Sequence, residues 1–266
     1  MSVNQAGKTA RNGLDLSGKH ALITGGGAGL GRQMTEALAE AGAKITICGR
    51  REEAVKRTAA SLIAAGHEAR WVVADVTSDS DRRRLHAETG DVDILVNNAA
   101  RGERKPWLTV SVEEWRAIME LNLEAPFALS QLFVPAMIQK RWGRVVNVSS
   151  IYGLSAGDPA VYGSWGVDLA SYVASKHGLI GLTKHLAATL GSTGVTVNAL
   201  CPGMFPNTEA NESHSNDLVP ALEMRTPVKR VGNDTDLRAA IVYLASPGSS
   251  FYTGQCLVVD GGWLAW

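Results

Sequence analysis

The stretch His20-Ala21-Leu22-Ile23-Thr24-Gly25-Gly26-Gly27-Ala28-Gly29-Leu30-Gly31 decides the fold, because it joins a short apolar run to a cluster of glycines. A helical pattern follows at once, with Met34, Ala37 and Leu38 on one stripe. Glycines at such a junction allow a tight turn and a close backbone approach, while the helix N-terminus offers N–H groups to a pyrophosphate. A flexible turn is the alternative, but the position between strand and helix favours a dinucleotide site. The residues predicted to line this site are Gly25, Gly27, Ala28, Gly29, Leu30 and Gly31.

The alternation of short apolar runs and helical stretches continues along the chain. Further apolar runs lie at 44–48, 69–73, 93–96, 144–148, 195–200 and 255–259, and the helical patterns at about 52–65, 112–137 and 170–190. Such runs are typical of a parallel sheet that is covered on both faces. The 266 residues contain no visible linker or repeat. The sequence therefore predicts one Rossmann-like, doubly wound α/β domain with a seven-stranded parallel sheet and helices on both faces.

Three segments lie outside this alternation. Residues 1–15 are polar and are predicted to be a flexible N-terminal tail, which leaves 16–266 as the domain. Residues 154–169 and 204–230 follow the C-terminal ends of strands, where open α/β sheets bind their ligands. Both are predicted to form the substrate side, the first as an insertion and the second as a mobile lid. A merely disordered loop is the alternative for the second.

Composition narrows the class of partner. Lys+Arg and Asp+Glu are both 26, so the chain lacks the positive field that recruits nucleic acid, and a small-molecule partner is expected. Cys48, Cys201 and Cys256 lack the spacing of a zinc site or a disulfide framework, and they are expected to be buried thiols. The histidines show no zinc spacing either, so no catalytic metal is predicted. With no signal-peptide pattern and no apolar run near the ~18–20 residues that span a bilayer, we expect a cytoplasmic protein without a membrane partner.

The end of the second apolar run bears on which dinucleotide would bind. An Asp or Glu there would hydrogen-bond the ribose hydroxyls of NAD, but this chain reads Gly49-Arg50-Arg51. Arginine binds a 2′-phosphate with several donors at once, and cations at the start of a helix oppose its dipole unless they face an anion. Arg50 and Arg51 are therefore predicted to favour NADP(H) over NAD(H). Neutralisation of these arginines by Glu52 and Glu53 is the other explanation.

Tyr172 and Lys176 lie four residues apart in a segment with helical periodicity. On a helix this spacing places both side chains on one face, with Cβ atoms about 5–6 Å apart. A cation beside a phenol stabilises the phenolate and lowers the tyrosine pKa from its ordinary value of ~10. The pair is thus a candidate acid–base unit. A solvated helical pair is the alternative for so short a pattern.

The long helical pattern at 112–137 contains Asn122 and, four residues later, Pro126. Proline lacks the N–H that would bond the carbonyl of residue 122, so the helix is predicted to kink and to leave that carbonyl free for a water. Pro135 is predicted to bend the helix again. The alternative is a bend that only wraps the helix around the core.

These motifs, in this order, resemble those of the short-chain dehydrogenase/reductase family, in its branch of 3-oxoacyl reductases and gluconate 5-dehydrogenases. The resemblance extends over about 16–266 and includes the glycine spacing of 24–31, Asn97-Asn98-Ala99-Ala100 and Cys201-Pro202-Gly203. It implies further cofactor contacts at Asp75, Val76, Asn98, Ala99, Ala100, Tyr172, Lys176, Pro202, Gly203 and Thr208. Thr208 comes one residue later after Gly203 than in the family pattern, which puts its contact in doubt.

The same resemblance implies a catalytic set of Asn122, Ser150, Tyr172 and Lys176 for the NAD(P)-dependent interconversion of a ketone and a secondary alcohol. Tyr172 would exchange a proton with the substrate oxygen, Ser150 would hydrogen-bond that oxygen, and Lys176 would lower the tyrosine pKa and hold the nicotinamide ribose. The carbonyl of Asn122 would bind a water that links Lys176 to solvent. The expected substrate is a polar keto or hydroxy compound of sugar-acid or 3-oxoacyl type. A non-catalytic dinucleotide-sensing regulator on the same fold is the alternative, but it would not need the intact Tyr–Lys pair.

Ser150 and Tyr172 are farther apart than the family pattern leads us to expect, and the extra residues include Tyr162 and Trp165. Tyr162 has Gly166 rather than a lysine four residues on, so it is not the catalytic candidate. The substrate pocket is predicted to be lined by Ser150, Tyr162, Trp165 and Met204.

The chain ends in a segment with Trp263 and Trp266, which a monomer would rarely leave exposed. In family members this region is usually buried between subunits. The resemblance therefore implies a homotetramer, with a homodimer as the alternative.

Overall fold

The computed structural model describes residues 13–102, 105–157, 169–206 and 218–265. At its centre lies one sheet of seven parallel strands in the order β3-β2-β1-β4-β5-β6-β7. The strands are β1 (His20–Thr24), β2 (Lys44–Gly49), β3 (Ala69–Val73), β4 (Ile94–Asn97), β5 (Gly143–Val148), β6 (Val195–Pro202) and β7 (Cys256–Val259). The predicted seven-stranded α/β fold is confirmed, and every apolar run forms a strand.

The α-helices of the described residues are α1 (Gly29–Glu40), α2 (Glu52–Ala64), α3 (Asp79–Thr89), α4 (Val112–Met119), α5 (Ala125–Lys140), α6 (Ala170–Leu190), α7 (Leu218–Arg225) and α8 (Arg238–Ala245). Three of them, α3, α7 and α8, were not predicted by the sequence patterns. A short 3-10 turn, Ile151–Gly153, directly follows β5.

Two hydrophobic cores sandwich the sheet. Because successive strand residues point to opposite faces, Ile23 contributes to the core under α1, α2 and α8, while Leu22 contributes to the core under α3, α5 and α6. Both side chains are fully buried. This double burial explains why the strands read as continuous apolar runs rather than as alternating ones.

The strand order brings distant parts of the chain to one edge of the sheet. β1 lies between β2 and β4, so the crossover connections reverse direction between β1 and β4. In open α/β sheets, ligands bind at such a reversal, beyond the carboxyl ends of the strands. The turn after β1 and the loops after β4, β5 and β6 all lie at this edge.

The long helical pattern is interrupted by a π-helical segment, Glu120–Glu124, between α4 and α5. The amide of Ala125 donates to the carbonyl of Glu120, five residues back, and Pro126 next to it has no N–H to donate. The predicted irregularity at Asn122 is thus present, as a π segment. Gly178 of α6 lets this segment pack closely, because a Cβ there would lie 2.9 Å from a methyl group of Leu123.

By length and composition alone, the continuous helix Val112–Lys140 could cross a membrane, since its best window has a mean hydropathy of 1.2. It is the one such helix in the described ranges. The helix is apolar on average rather than an uninterrupted apolar run, since it includes Glu120, Asn122 and Glu124. Phe133 and Met137 of this helix pack into the core beneath the sheet, as expected for a core helix of a globular domain.

Two other expectations need correction. Trp263 is only 3% exposed and packs against Leu222 of α7, so it needs no partner subunit to cover it, while Trp266 lies outside the described residues. Cys256 is half-buried, whereas Cys48 and Cys201 are buried as expected. Residues 1–12 of the predicted tail, 158–168 of the insertion and 207–217 of the lid also lie outside the described residues.

Candidate active site

The glycine turn between β1 and α1 is too tight for side chains. Gly25 has a φ of +66°, and a Cβ on Gly31 would collide with the Gly25 carbonyl oxygen. A Cβ on Gly27 would lie 2.8 Å from the backbone of Ala54. Ala28, the N-cap of α1, supplies no side-chain acceptor, so the first amides of this helix are left to a ligand. The turn therefore fits the pyrophosphate of a dinucleotide.

Asn98 locks this turn to the end of β4. Its side-chain amide donates to the carbonyls of Thr24 and Gly25 at 2.9 and 3.3 Å. The backbone amides of Asn98 and Ala99 both donate to the Thr24 hydroxyl at 3.0 Å. The predicted contact residues Asn98 and Ala99 thus lie directly behind the turn, with Ala100 following.

Asp75 and Val76 follow β3 at the far end of the same edge. Val76 is buried, while Asp75 accepts from the amide and hydroxyl of Thr77 at 3.0 and 2.8 Å. Burial acts to raise the pKa of Asp75, but the Thr77 hydrogen bonds and the Arg50 charge outweigh it, so the pKa lies below its ordinary value. Arg50 reaches Asp75 at 3.5 Å and its side chain is 64% exposed. Arg51 is the exposed N-cap of α2.

Tyr172 and Lys176 both lie in the first two turns of α6, as predicted. Lys176 is 2% exposed; its Nζ donates to the Val148 carbonyl at 2.7 Å and lies 5.5 Å from the centre of the Tyr172 ring. Burial lowers the pKa of Lys176 from 10.5 to about 8. A buried ammonium beside a phenol at a sheet edge can take part in proton transfer near neutral pH.

The two serines after β5 have different partners. The Ser149 hydroxyl donates to the Lys176 carbonyl at 3.1 Å and so packs the loop against α6. The Ser150 hydroxyl accepts from the Tyr152 amide at 3.1 Å as the cap of the 3-10 turn. Because the Ser150 oxygen is the acceptor in that bond, its hydroxyl proton is available to another oxygen.

Asn122 is 1% exposed, and its side chain holds the loop after β4. The amide of Arg101 donates to Asn122 Oδ1 at 3.0 Å, and Asn122 Nδ2 donates to the Arg101 carbonyl at 2.8 Å. Nδ2 also donates to the hydroxyl of Ser175 at 3.0 Å. The side chain of Asn122 thus joins the π segment to both α6 and the β4 loop.

The loop after β6 places Gly203 against the end of β7. The amide of Gly203 donates to the Val259 carbonyl at 2.9 Å, and a Cβ on Gly203 would lie 2.6 Å from Asp260 Cα. Pro202 ends β6, and Met204 packs with Tyr172 in the apolar cluster around Tyr152 and Leu222. The remaining candidates, Tyr162, Trp165 and Thr208, lie outside the described residues.

Two residues near this site were missed at the level of sequence. Ser175 is bonded to Asn122, and Gly102 lies against the Tyr172 ring, where a Cβ would be 3.3 Å from Cδ2. No spacing rule points to either of them, since their partners are distant in sequence. The polar residue Ser175 next to Lys176, on the buried side of α6, was the one available signal. Within the described ranges, His, Cys, Asp and Glu side chains do not gather in groups of three or more that could hold a metal ion.

Comparison with known proteins identifies the family. A family model described as short chain dehydrogenase matches residues 19–218. The 3-oxoacyl-[acyl-carrier-protein] reductase FabG of Escherichia coli (strain K12) is 36% identical over 250 residues, which cover 94% of this chain and 98% of that protein. A structure described as a putative gluconate dehydrogenase from Agrobacterium tumefaciens has a TM-score of 0.88 at 34% identity, covering 96% of this chain and 99% of that one.

A gluconate 5-dehydrogenase from Burkholderia cenocepacia J2315, in complex with NADP and tartrate, has a TM-score of 0.87 at 34% identity and covers 97% of this chain and 100% of its own. These relatives are enzymes, so the alternative of a purely regulatory nucleotide sensor is not favoured. The chain therefore belongs to the short-chain dehydrogenase family, and it is an NAD(P)-dependent oxidoreductase that interconverts a ketone and a secondary alcohol.

Proposed function

We propose that Tyr172, Lys176, Ser150 and Asn122 carry out the reaction. The observation that carries this proposal is the buried ammonium of Lys176, 5.5 Å from the Tyr172 ring, at the sheet edge that also holds the glycine turn. A cation with so little solvent around it is a strong electrostatic neighbour for a phenolate. Ser150 and Asn122 approach the same pair from β5 and from the π segment.

The nicotinamide, when bound, supplies or takes up the hydride at the carbonyl carbon. In the reducing direction Tyr172 donates its phenolic proton to the carbonyl oxygen, and the ketone becomes a secondary alcohol. Ser150 donates a hydrogen bond to that oxygen while the charge on it develops. Lys176 stabilises the phenolate that remains. Tyr172 then takes up a proton from solvent by way of Lys176 and Asn122. In the oxidising direction the same groups take the proton from the alcohol.

The test is Tyr172→Phe, assayed with NADPH and NADH against a panel of ketones, keto-sugar acids and acyl thioesters. We expect turnover to fall by about 10²-fold or more, because general acid–base catalysis contributes on that order. Binding of the dinucleotide, measured by fluorescence, should change little. Tyr243→Phe, a change of the same kind in α8 away from the site, is the control. Near-normal turnover by Tyr172→Phe would refute the assignment.

NADP(H) is proposed as the preferred cofactor, held by the glycine turn with Gly25, Gly27, Ala28, Gly29, Leu30 and Gly31. Arg50 and Arg51 stand at the end of β2 and the start of α2, and Arg50 faces Asp75 across the adenine end of the edge. Its guanidinium is mostly exposed, so it can turn to a 2′-phosphate at little cost. The Burkholderia cenocepacia relative was solved with NADP, which supports this preference.

The proposed substrate is a keto or hydroxy compound of the sugar-acid or 3-oxoacyl type, in keeping with the names of the relatives. Ser150 and Met204 would line its pocket, together with Tyr162 and Trp165 of the insertion. The proposed location is the cytoplasm.

We further propose that the chain assembles as a homo-oligomer through the outer face of α4, the π segment and α5. A groove of about 660 Å³ on this face is lined by the apolar residues Trp115, Met119, Leu123, Phe127 and Leu182 together with the charged residues Arg116, Glu120 and Glu124. Trp115 is 38% and Phe127 44% exposed, and both lie on the long helix Val112–Lys140. A second copy of the same face would cover these rings by two-fold symmetry.

A further inference from the structure

Ser175 lies between Tyr172 and Lys176 on α6 and is fully buried. Its hydroxyl donates to the backbone carbonyl of Tyr172 at 2.7 Å. The same oxygen accepts from Asn122 Nδ2 at 3.0 Å. One hydroxyl therefore joins the backbone of Tyr172 to the π segment of the neighbouring helix.

The contacts continue from Asn122 and return to Tyr172. The Asn122 side chain holds both the amide and the carbonyl of Arg101, at 3.0 and 2.8 Å. Gly102 follows, and its α-carbon faces the Tyr172 ring, since a Cβ there would lie 3.3 Å from Cδ2 and 3.6 Å from the tyrosine Cβ. A closed circuit thus runs from the Tyr172 backbone through Ser175, Asn122 and the Arg101–Gly102 loop to the Tyr172 ring.

The hydroxyl at this position acts as a donor and as an acceptor at once. Asn122 Nδ2 has two protons, of which one goes to the Arg101 carbonyl and the other to Ser175 Oγ. A side chain without an acceptor would leave a buried N–H without a partner, which is unfavourable. The structure could avoid that cost by letting Asn122 and the loop shift, and the Tyr172 ring would then lose its contact with Gly102.

We propose that Ser175 is a positioning residue for the reaction, which acts through Asn122 and the Arg101–Gly102 loop to hold the Tyr172 ring in place. This inference rests on the proposed roles of Tyr172 and Asn122. It concerns the orientation of the acid–base group, so it predicts an effect on turnover rather than on substrate or cofactor binding.

Ser175→Ala is the first test, with Ser130→Ala as the matched control. Ser130 is also buried, and its hydroxyl donates to the Pro126 carbonyl at 2.7 Å beside the π segment, but no bond of its own reaches Asn122 or Tyr172. We expect Ser175→Ala to lower kcat about tenfold or more, because two hydrogen bonds of the hydroxyl are lost. The KM for the substrate and the KM for the dinucleotide should each stay within about twofold of the parental value. Ser130→Ala should keep kcat within about twofold. Equal kcat values for the two variants would overturn the proposal.

Ser175→Cys is a second variant, in which the side chain keeps a similar volume. It removes most of the hydrogen bonding, because a thiol is only a weak donor and acceptor. We expect the same fall in kcat with a melting temperature nearer that of the parent, so a parental kcat in folded Ser175→Cys also overturns the proposal. The double variant with Asn122→Ala tests the route. If Ser175 acts through Asn122, the double variant should be no slower than Asn122→Ala alone, and additive losses would contradict that route.

The outcomes separate this inference from the proposed function. Normal turnover by Tyr172→Phe would refute the acid–base assignment itself, whatever Ser175 does. An inactive Tyr172→Phe combined with an unimpaired Ser175→Ala would refute only the positioning role.

Discussion

Arg50 can be substituted with little effect on the fold, because its side chain is mostly exposed and its ion pair with Asp75 is long, at 3.5 Å. We expect Arg50→Asp to weaken NADPH binding about tenfold or more and to leave NADH binding unchanged or stronger, because a charge-assisted hydrogen bond contributes about 1.5–3 kcal/mol. The measurement is the dissociation constant of each dinucleotide by fluorescence titration. Lys56→Asp, the same charge change at an exposed position of α2, is the control. A parent that prefers NADH, or an equal loss in Lys56→Asp, would contradict the proposed preference.

Side chains whose relative position follows from spacing along one helix could be predicted from the sequence, and those bonded across elements could not. The separation of Tyr172 and Lys176 is enough to place them on one helix face, as the structure has them. Ser175 depends on Asn122, a partner far away in sequence on another helix, and no periodicity encodes that bond. The same holds for Gly102, which is identified only by its distance to the Tyr172 ring.

At the scale of elements, the glycine turn offers a direct test. In Gly31→Ala the new methyl would collide with the Gly25 carbonyl, which is backbone and cannot rotate away. We expect a loss of about 1–3 kcal/mol of stability and at least tenfold weaker dinucleotide binding, as in other overpacked sites. Thermal unfolding and fluorescence titration measure the two effects. Gly191→Ala is the control, because a Cβ there meets no atom within 4 Å and the backbone is right-handed helical, so stability should stay within about 0.5 kcal/mol. Unchanged binding by Gly31→Ala would remove the turn from the cofactor site.

Elements with a strong apolar pattern were predictable, and the polar or short ones were not. The strands are buried on both faces, which leaves an unmistakable run in the sequence. Helix α3 has three consecutive arginines and buries Leu85 as its main apolar residue, so no apolar stripe reveals it. Its N-cap, Ser78, accepts from the Asp81 amide and was the available signal. The proline at 126 did predict an irregular helix, although the π form depends on packing against α6.

At the scale of the whole molecule, the topology of the sheet could be predicted from general rules, whereas the exposure of aromatic side chains at the surface could not. A repeated strand–helix–strand pattern with right-handed crossovers leads to a parallel, doubly wound sheet, as observed. The family resemblance implied a contact between subunits at the C-terminal tryptophans, yet Trp263 is covered within its own domain by the cluster around Leu222. Burial of a single aromatic residue depends on tertiary contacts, and composition cannot report them. The groove beside Phe127 became visible only when α4, the π segment and α6 were placed side by side.

The proposed assembly can be tested at Phe127. In a two-fold interface each substitution occurs twice, so Phe127→Arg removes two buried rings and adds two cations to the same patch. Each Phe127 ring is 44% exposed in one copy, so its burial in the interface contributes about 0.7–1.3 kcal/mol. The loss from two rings should therefore be about 1.4–2.6 kcal/mol, or roughly one to two orders of magnitude in the dissociation constant between subunits. Light scattering coupled to gel filtration should show the parent as a dimer or tetramer and the variant as a smaller species. Ile63→Arg changes a residue of α2 that is also exposed but lies outside the groove, and it should keep the parental mass. A monomeric parent, or dissociation by Ile63→Arg but not by Phe127→Arg, would contradict the proposed interface.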